Sequence, residues 1–248
     1  MALTPRRRAE PDVPSSPSSA RPVAPRSAPS ARGPRWSRQV GRFLARGVWR
    51  ATVVGHENVP DDGPVILAAN HQGFIDGPVL LGVAPRPLHV LVKREMYRGP
   101  VGWVLRAAGQ IPVDKDDGGR GALVAAREVL RRGDAVGIFP EGNRGRGDMA
   151  DARGGVAWLA LACHAPVVPV AVLGTRRTGE KVGVVPPPGR RLHVEMGEPL
   201  RIEREPGTTG REAQRAAAER IREAMSALVA AAVGRSGLPL PADSPAAP

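Results

Sequence analysis

Aromatic side chains make up only 3% of this 248-residue chain. Any core must therefore be built from Val, Leu, Ile and Ala, and at 42% hydrophobic residues there is enough material for one. A single cysteine, Cys163, excludes an internal disulfide framework and a cysteine-cluster zinc site. His56, His89, His164 and His193 are scattered without metal-ligand spacing, so no metal is expected. No G-x-S-x-G nucleophile elbow occurs. No uninterrupted apolar stretch follows the Arg6–Arg8 cluster, so the start does not read as a secretory signal. Acidic charge is also in deficit. Asp plus Glu is 24 against 36 Lys plus Arg, which leaves +12 and points to an anionic partner.

The excess sits at one end. Residues 1–50 hold eleven arginines and only two acids, Glu10 and Asp12, so +9 belongs to them and +3 to the remaining 198 residues. A nearly balanced body argues against nucleic acid as the partner, as does the lack of interleaved aromatics in the arginine-rich arm. Residues 1–34 contain eight prolines and almost no large apolar side chain. Such a segment cannot offset its chain entropy by burial, and disorder is expected there. The Pro/Ala/Ser stretch 235–248 is expected to be frayed as well.

From Arg35 to Thr52 the spacing predicts a basic amphipathic helix. Arg35, Arg38, Arg42, Arg46 and Arg50 recur at three and then four residues, which gathers them on one arc. Trp36, Val40, Phe43, Leu44 and Val48 take the other side. Such a helix suits the interface of an anionic membrane, with Trp at headgroup level. The same pattern also describes a helix docked on its own domain with a solvated basic face.

Beyond residue 53 the chain alternates strand and helix signals. Val65–Ala69, Leu88–Val92, Ile111–Val113, Ala135–Phe139, Val167–Leu173 and Arg191–Glu195 read as strands. Pro100–Gly109, Arg120–Arg131, Ala152–Cys163 and Glu212–Val233 read as helices. The uncharged run Gly154–Thr175 is 22 residues long, but Pro166 and Pro169 break it, so it reads as helix, turn and buried strand rather than a membrane span. The expected fold is α/β: a mixed, mostly parallel sheet flanked by helices, in one domain over 53–234 with its motifs within 65–175.

Three of the expected strands end in polar clusters. Asn70-His71-Gln72-Gly73-Phe74-Ile75-Asp76 follows Val65–Ala69. A turn through Gly73 would bring the Asp76 carboxylate to one imidazole nitrogen of His71 and leave the other for a ligand, as a general base for a hydroxyl requires. The competing description is an N-capping Asp76 and a loop histidine. Phe139-Pro140-Glu141-Gly142-Asn143-Arg144 follows another strand, and its Gly-rich continuation suits an anion, with arginine for a two-pronged phosphate contact. Lys93-Arg94-Glu95 follows a third, with Gly109 to Lys115 further on. Strand ends of this kind are where open α/β sheets place ligands.

Taken in order, NH-(four residues)-D, K-x-E with a later G-x-I-x-V-D-basic, FPEG-x-R and the run Ala165–Val172 resemble the glycerolipid acyltransferases. The resemblance covers about Val53 to Thr175. It implies transfer of a fatty acyl group from acyl-CoA or acyl carrier protein to a hydroxyl of a phosphate-bearing lysolipid, with no other cofactor. It implies His71 as general base and Asp76 as its partner. Glu141, Gly142, Asn143 and Arg144 fall in the third block, and Lys93 and Lys115 are added as cations for the acceptor. It also implies membrane association, since acceptor and product are lipids, and the Arg35–Thr52 helix is expected to provide peripheral attachment at the anionic cytoplasmic face. The chain departs from the family pattern twice, with Asn143 where Thr is usual and Lys115 where Arg is usual. Lysine cannot make a two-pronged phosphate contact. The nearest acceptor is 1-acylglycerol 3-phosphate. Glycerol 3-phosphate, a glycolipid or an aminolipid are alternatives, as is a non-catalytic basic membrane module.

Overall fold

The computed structural model describes residues 28–144, 146–149 and 154–243. Most of the stretch expected to be disordered, 1–27, and the last residues, 244–248, lie outside these.

Among the described residues seven strands form one sheet in the order β1-β7-β6-β2-β5-β3-β4. They are β1 (Arg50–Val54), β2 (Val65–Ala69), β3 (Leu88–Lys93), β4 (Ile111–Val113), β5 (Ala135–Ile138), β6 (Val167–Leu173) and β7 (Arg191–Met196). β6, β2, β5, β3 and β4 are parallel. β7 runs antiparallel to β6, and β1 is parallel to β7. The mixed, mostly parallel sheet expected from the sequence is what forms.

β2 and β6 are buried along their whole length, which is why they read as continuous apolar runs without alternation. Successive side chains of β2 serve opposite faces. Ile66 and Ala68 join a core with α4 (Arg120–Arg131), α5 (Gly155–Cys163) and α6 (Gly210–Ser236). Val65, Leu67 and Ala69 join the other core, with α2 (Asp76–Val83), Ala45 and Trp49. The five parallel strands therefore release their C-terminal ends along one edge of the sandwich.

The N-terminal helix differs from expectation in extent and in the face it buries. α1 spans Gly33–Phe43, a π-helical turn follows over Leu44–Val48, and β1 begins at Arg50. Trp49 ends the helical stretch. It is buried, and its indole N–H donates to the Pro186 carbonyl at 3.1 Å. Arg50 thus belongs to a strand, and the arginine arc has four members. Neither of its two sequence faces docks as a whole: Leu44 and Val48 pack half-buried on the core, while the rest of the apolar side stays out. Ser37, Gly41 and Ala45, one turn apart, are buried instead. Gly41 meets Gly82 of α2 so closely that a Cβ on Gly41 would stand 2.7 Å from the Gly82 nitrogen. Arg38 turns inward and donates to the Ala84 carbonyl at 2.7 Å, which satisfies the end of α2. Trp36, Val40 and Phe43 stay exposed, Phe43 at 67%.

The C-terminus is ordered further than expected. α6 starts at a Thr209–Glu212 capping box and runs to Ser236, three residues past Val233. Leu238 and Leu240 then pack on Ala171, Leu173, Val229 and Ala232. Asp243 pairs with the buried Arg176 at 3.0 Å. The expected fraying from Arg235 is thus corrected as far as Asp243, because this short tail finds an apolar patch and a buried cation to bind.

The close approach of α1 to α2 gives a direct test. Gly41→Leu forces the helices apart and should cost about 1–3 kcal/mol, the usual range for overpacking, in urea denaturation.

Candidate functional site

β2 is central, with β5 and β6 on either side, so loops from three strands converge beyond its C-terminal end. Asn70 closes β2 and straps this convergence together. Its side chain is fully buried, accepts from the Val172 N–H at 2.7 Å, and donates to the Val172 and Gly147 carbonyls at 3.2 and 3.4 Å.

The chain then turns so that Asp76, at the start of α2, faces back onto the loop before it. The carboxylate is fully buried. One oxygen, Oδ2, accepts from His71 Nδ1 at 2.7 Å, from the Gln72 N–H at 2.7 Å and from the Gly73 N–H at 2.8 Å. Nδ1–H is thereby the tautomer held, and Nε2 is left for a ligand. The imidazole lies on the Phe139 ring, with centroids 4.2 Å apart.

The loop after β5 comes in beside it. Gly142 sits at φ +68°, and its N–H closes a turn onto the Phe139 carbonyl. Glu141 does not face the opening of the site. It is buried and accepts from the His71 N–H at 2.9 Å, so it ties this loop to the histidine loop. Its carboxyl is pushed up to about 7, first by burial and then by the charges of Asp148 and Asp76. The N–H groups of His71 and Gly147 pull the other way.

The Arg144 guanidinium lies 5.2 Å over the Phe74 ring. Burial lowers its pKa, while the Asp76 carboxylate acts to raise it. Asn143 Oδ1 accepts from Lys93 Nζ at 2.8 Å, so Lys93 is brought to this loop from the end of β3. Lys115 is not. It follows β4 at the sheet's outer edge, is 62% exposed, and faces Glu95 at 3.7 Å.

Several buried polar atoms around this centre find no partner among the described residues: both amide atoms of Gln72, Asp76 Oδ1, Arg144 Nε and Thr175 Oγ1. Buried polar groups are normally satisfied, so a cluster of exceptions marks a place for a polar ligand or for water. Among the described residues no group of three His, Cys, Asp or Glu side chains is placed to hold a metal ion. Asn70, Phe74 and Phe139 were given no role in the sequence reading. Each lies inside a motif singled out there, and what was missing was the strand neighbour that turns it inward.

The family profile described as acyltransferase matches residues 50–173. The 1-acyl-sn-glycerol-3-phosphate acyltransferase of Bacillus subtilis (strain 168) is 32% identical over 152 residues, covering 60% of this chain and 72% of that protein. The protein of the same name from Borreliella burgdorferi is 34% identical over 127 residues, covering 50% of this chain and 51% of that protein. The crystal structure of the 1-acyl-sn-glycerophosphate acyltransferase PlsC from Thermotoga maritima shares the fold, with a TM-score of 0.61 and 24% identity over 79% of each chain.

Glu141 generates a pH-dependent expectation. Its ordinary value is 4.5 and its folded value about 7, so between these the folded protein holds a proton that the unfolded chain has lost. Stability therefore falls as pH rises through that window, by about 3 kcal/mol in all. Glu141→Gln removes the titration and can keep the acceptor for the His71 N–H. Measured by urea denaturation from pH 5 to pH 8, its stability relative to the parent protein should rise steadily.

Proposed function

The chain belongs to the acyltransferase family, and on that premise we propose that it acylates the free hydroxyl of 1-acylglycerol 3-phosphate to give phosphatidic acid. The names of the Bacillus and Borreliella relatives support this acceptor. The observation that carries the reading is the His71–Asp76 contact at 2.7 Å, with the Arg144 guanidinium close enough to Asp76 to feel its charge. A proton acceptor and a cation able to bind phosphate then both lie beside Asp76.

In the reaction, His71 Nε2 accepts the proton of the acceptor hydroxyl as its oxygen attacks the thioester carbonyl. Asp76 holds the ring and stabilises the imidazolium. The tetrahedral intermediate collapses with departure of the thiolate of coenzyme A or acyl carrier protein, which recovers a proton from the imidazolium. Thiolate is a good leaving group, so no acyl-enzyme intermediate is needed. Phe139 keeps the imidazole in one plane, and Glu141 fixes the backbone beneath it. Arg144, with Lys93 acting through Asn143, holds the acceptor phosphate.

Acceptor and product are both lipids, so the reaction is placed at a membrane. No described helix is long and apolar enough to cross one. The exposed arginines of α1 suit peripheral attachment to an anionic leaflet, on the cytoplasmic side where acyl thioesters are found.

His71→Ala should lower kcat for acylation of lysophosphatidate by about 10²–10⁴-fold with unchanged circular dichroism. A folded variant with near-parental turnover removes the histidine from the mechanism. Arg144→Ala should act mainly on the acceptor, raising its KM with little change in the KM for acyl-CoA. A change confined to the thioester would place Arg144 at the donor instead.

A further inference from the structure

We propose that α3 (Gly99–Ala107) is a second lipid-contacting element, which inserts beside the outer face of α1 into the headgroup layer of an anionic bilayer. The proposal rests on the reading of the acceptor as a membrane lipid.

The sequence of α3 is Gly-Pro-Val-Gly-Trp-Val-Leu-Arg-Ala, and Gly102 is its one buried residue. Trp103 is 69% exposed, with Val101 and Val104 also open to solvent. Soluble surfaces carry single apolar side chains commonly, but a helix that exposes a Trp and two Val together marks an interaction site. Among the described residues nothing covers it.

The helix is tied to the turn before it and to α1. Gly102 rests on the Tyr97 backbone so closely that a Cβ would stand 2.2 Å from it. Arg106 donates back to the Tyr97 carbonyl at 3.1 Å. At its C-terminal end α3 meets α1: the Trp36 indole N–H donates to the Ala107 carbonyl at 3.2 Å. Because α1 docks through its small residues, its Trp36, Val40 and Phe43 stripe is left outward. The two exposed apolar stretches thus adjoin through Trp36.

Charge decides what occupant fits. The chain has no Asp or Glu between Asp12 and Glu57, nor between Glu95 and Asp114, so neither helix carries an acid. Arg35, Arg42, Arg46 and Arg98 are exposed alongside the apolar side chains. Indole rings and aliphatic groups with a fringe of guanidinium suit the headgroup level of an anionic bilayer, whereas a protein partner of ordinary composition would have to supply every acid itself. The connection to the site is short. Lys93, bonded to Asn143 of the site loop, is separated from α3 by only five residues. A lipid lifted from the bilayer beside α3 is therefore already near the site.

The test uses the full-length protein, vesicles of phosphatidylcholine with 30% phosphatidylglycerol, and the double variant Trp103→Ser/Val104→Ser, whose exposed positions leave the fold intact by circular dichroism. The parent protein should co-sediment with these vesicles, less so at high salt, and brominated lipid should quench its tryptophan emission. The double variant should bind vesicles at least about tenfold more weakly and acylate detergent-dispersed lysophosphatidate at the parental rate. Vesicle binding equal to the parent's overturns the proposal. So does equal loss of turnover on dispersed and vesicular substrate, which would place α3 in the substrate site. A parent dimer that the double variant dissolves, with vesicle binding unchanged, assigns the face to a second copy and also overturns it. If the parent binds vesicles through α3 and acylates no lysophosphatidate, the proposal stands and the assigned reaction fails.

Discussion

One oxygen atom, Asp76 Oδ2, receives three hydrogen bonds from the loop that precedes it, and the geometry of the site follows from that convergence. The donors are an imidazole and two successive backbone amides, so the oxygen sets the path of the loop and the orientation of the ring together. The carboxylate is fully buried, where an unpaired charge costs several kcal/mol. The loop is therefore free to leave this arrangement only by exposing or stranding that charge. An N-capping aspartate and a general-base partner looked like alternatives in the sequence. The observed residue opens α2 and folds back on the loop at once, so the helix start supplies the position that the imidazole uses.

Around this atom the sheet supplies stiffness by a simple arrangement. β2 and β5 end at nearly the same level while β6 runs three residues further, and the loops they release are cross-tied by buried polar side chains. Asn70 ties the end of β2 to β6 and to the loop after β5. Glu141 ties that same loop to the backbone of His71. Loops are commonly mobile, and hydrogen-bonded ties of this kind hold them. The unpaired buried atoms of Gln72, Arg144 and Thr175 lie on these same loops.

Much of this was legible in the residues. The fully buried strands announced themselves as unbroken apolar runs, and Arg120–Arg131 and Val167–Leu173 formed as read, because periodicity and punctuation agreed there. The contact between His71 and Asp76 was offered by the residues too, since Gly73 between them permits the turn, but an N-capping Asp76 fitted the same spacing, and only the resemblance favoured the pair. The place of Lys115 was not legible, because it depends on the strand order, and β4 lies two strands beyond β5 at the rim. The docking face of α1 was hidden for a different reason. Hydrophobic patterning weights large side chains, whereas this helix seats itself through Ser37, Gly41 and Ala45, whose value is their small size. Nor does any local signal reveal that Arg38 completes another helix or that Asp243 finds Arg176.

The outermost strand, β4, is three residues long and has Pro112 at its middle, in register with Val92 of β3. Proline has no N–H to offer, so the free rim of the sheet presents a broken template to any extended chain that approaches it. At the opposite rim, β1 carries Arg50 outward, and charge discourages pairing there as well. With both rims blunted, copies that meet find no open strand to extend, and the sheet ends within one molecule instead of running on into a continuous β-ribbon.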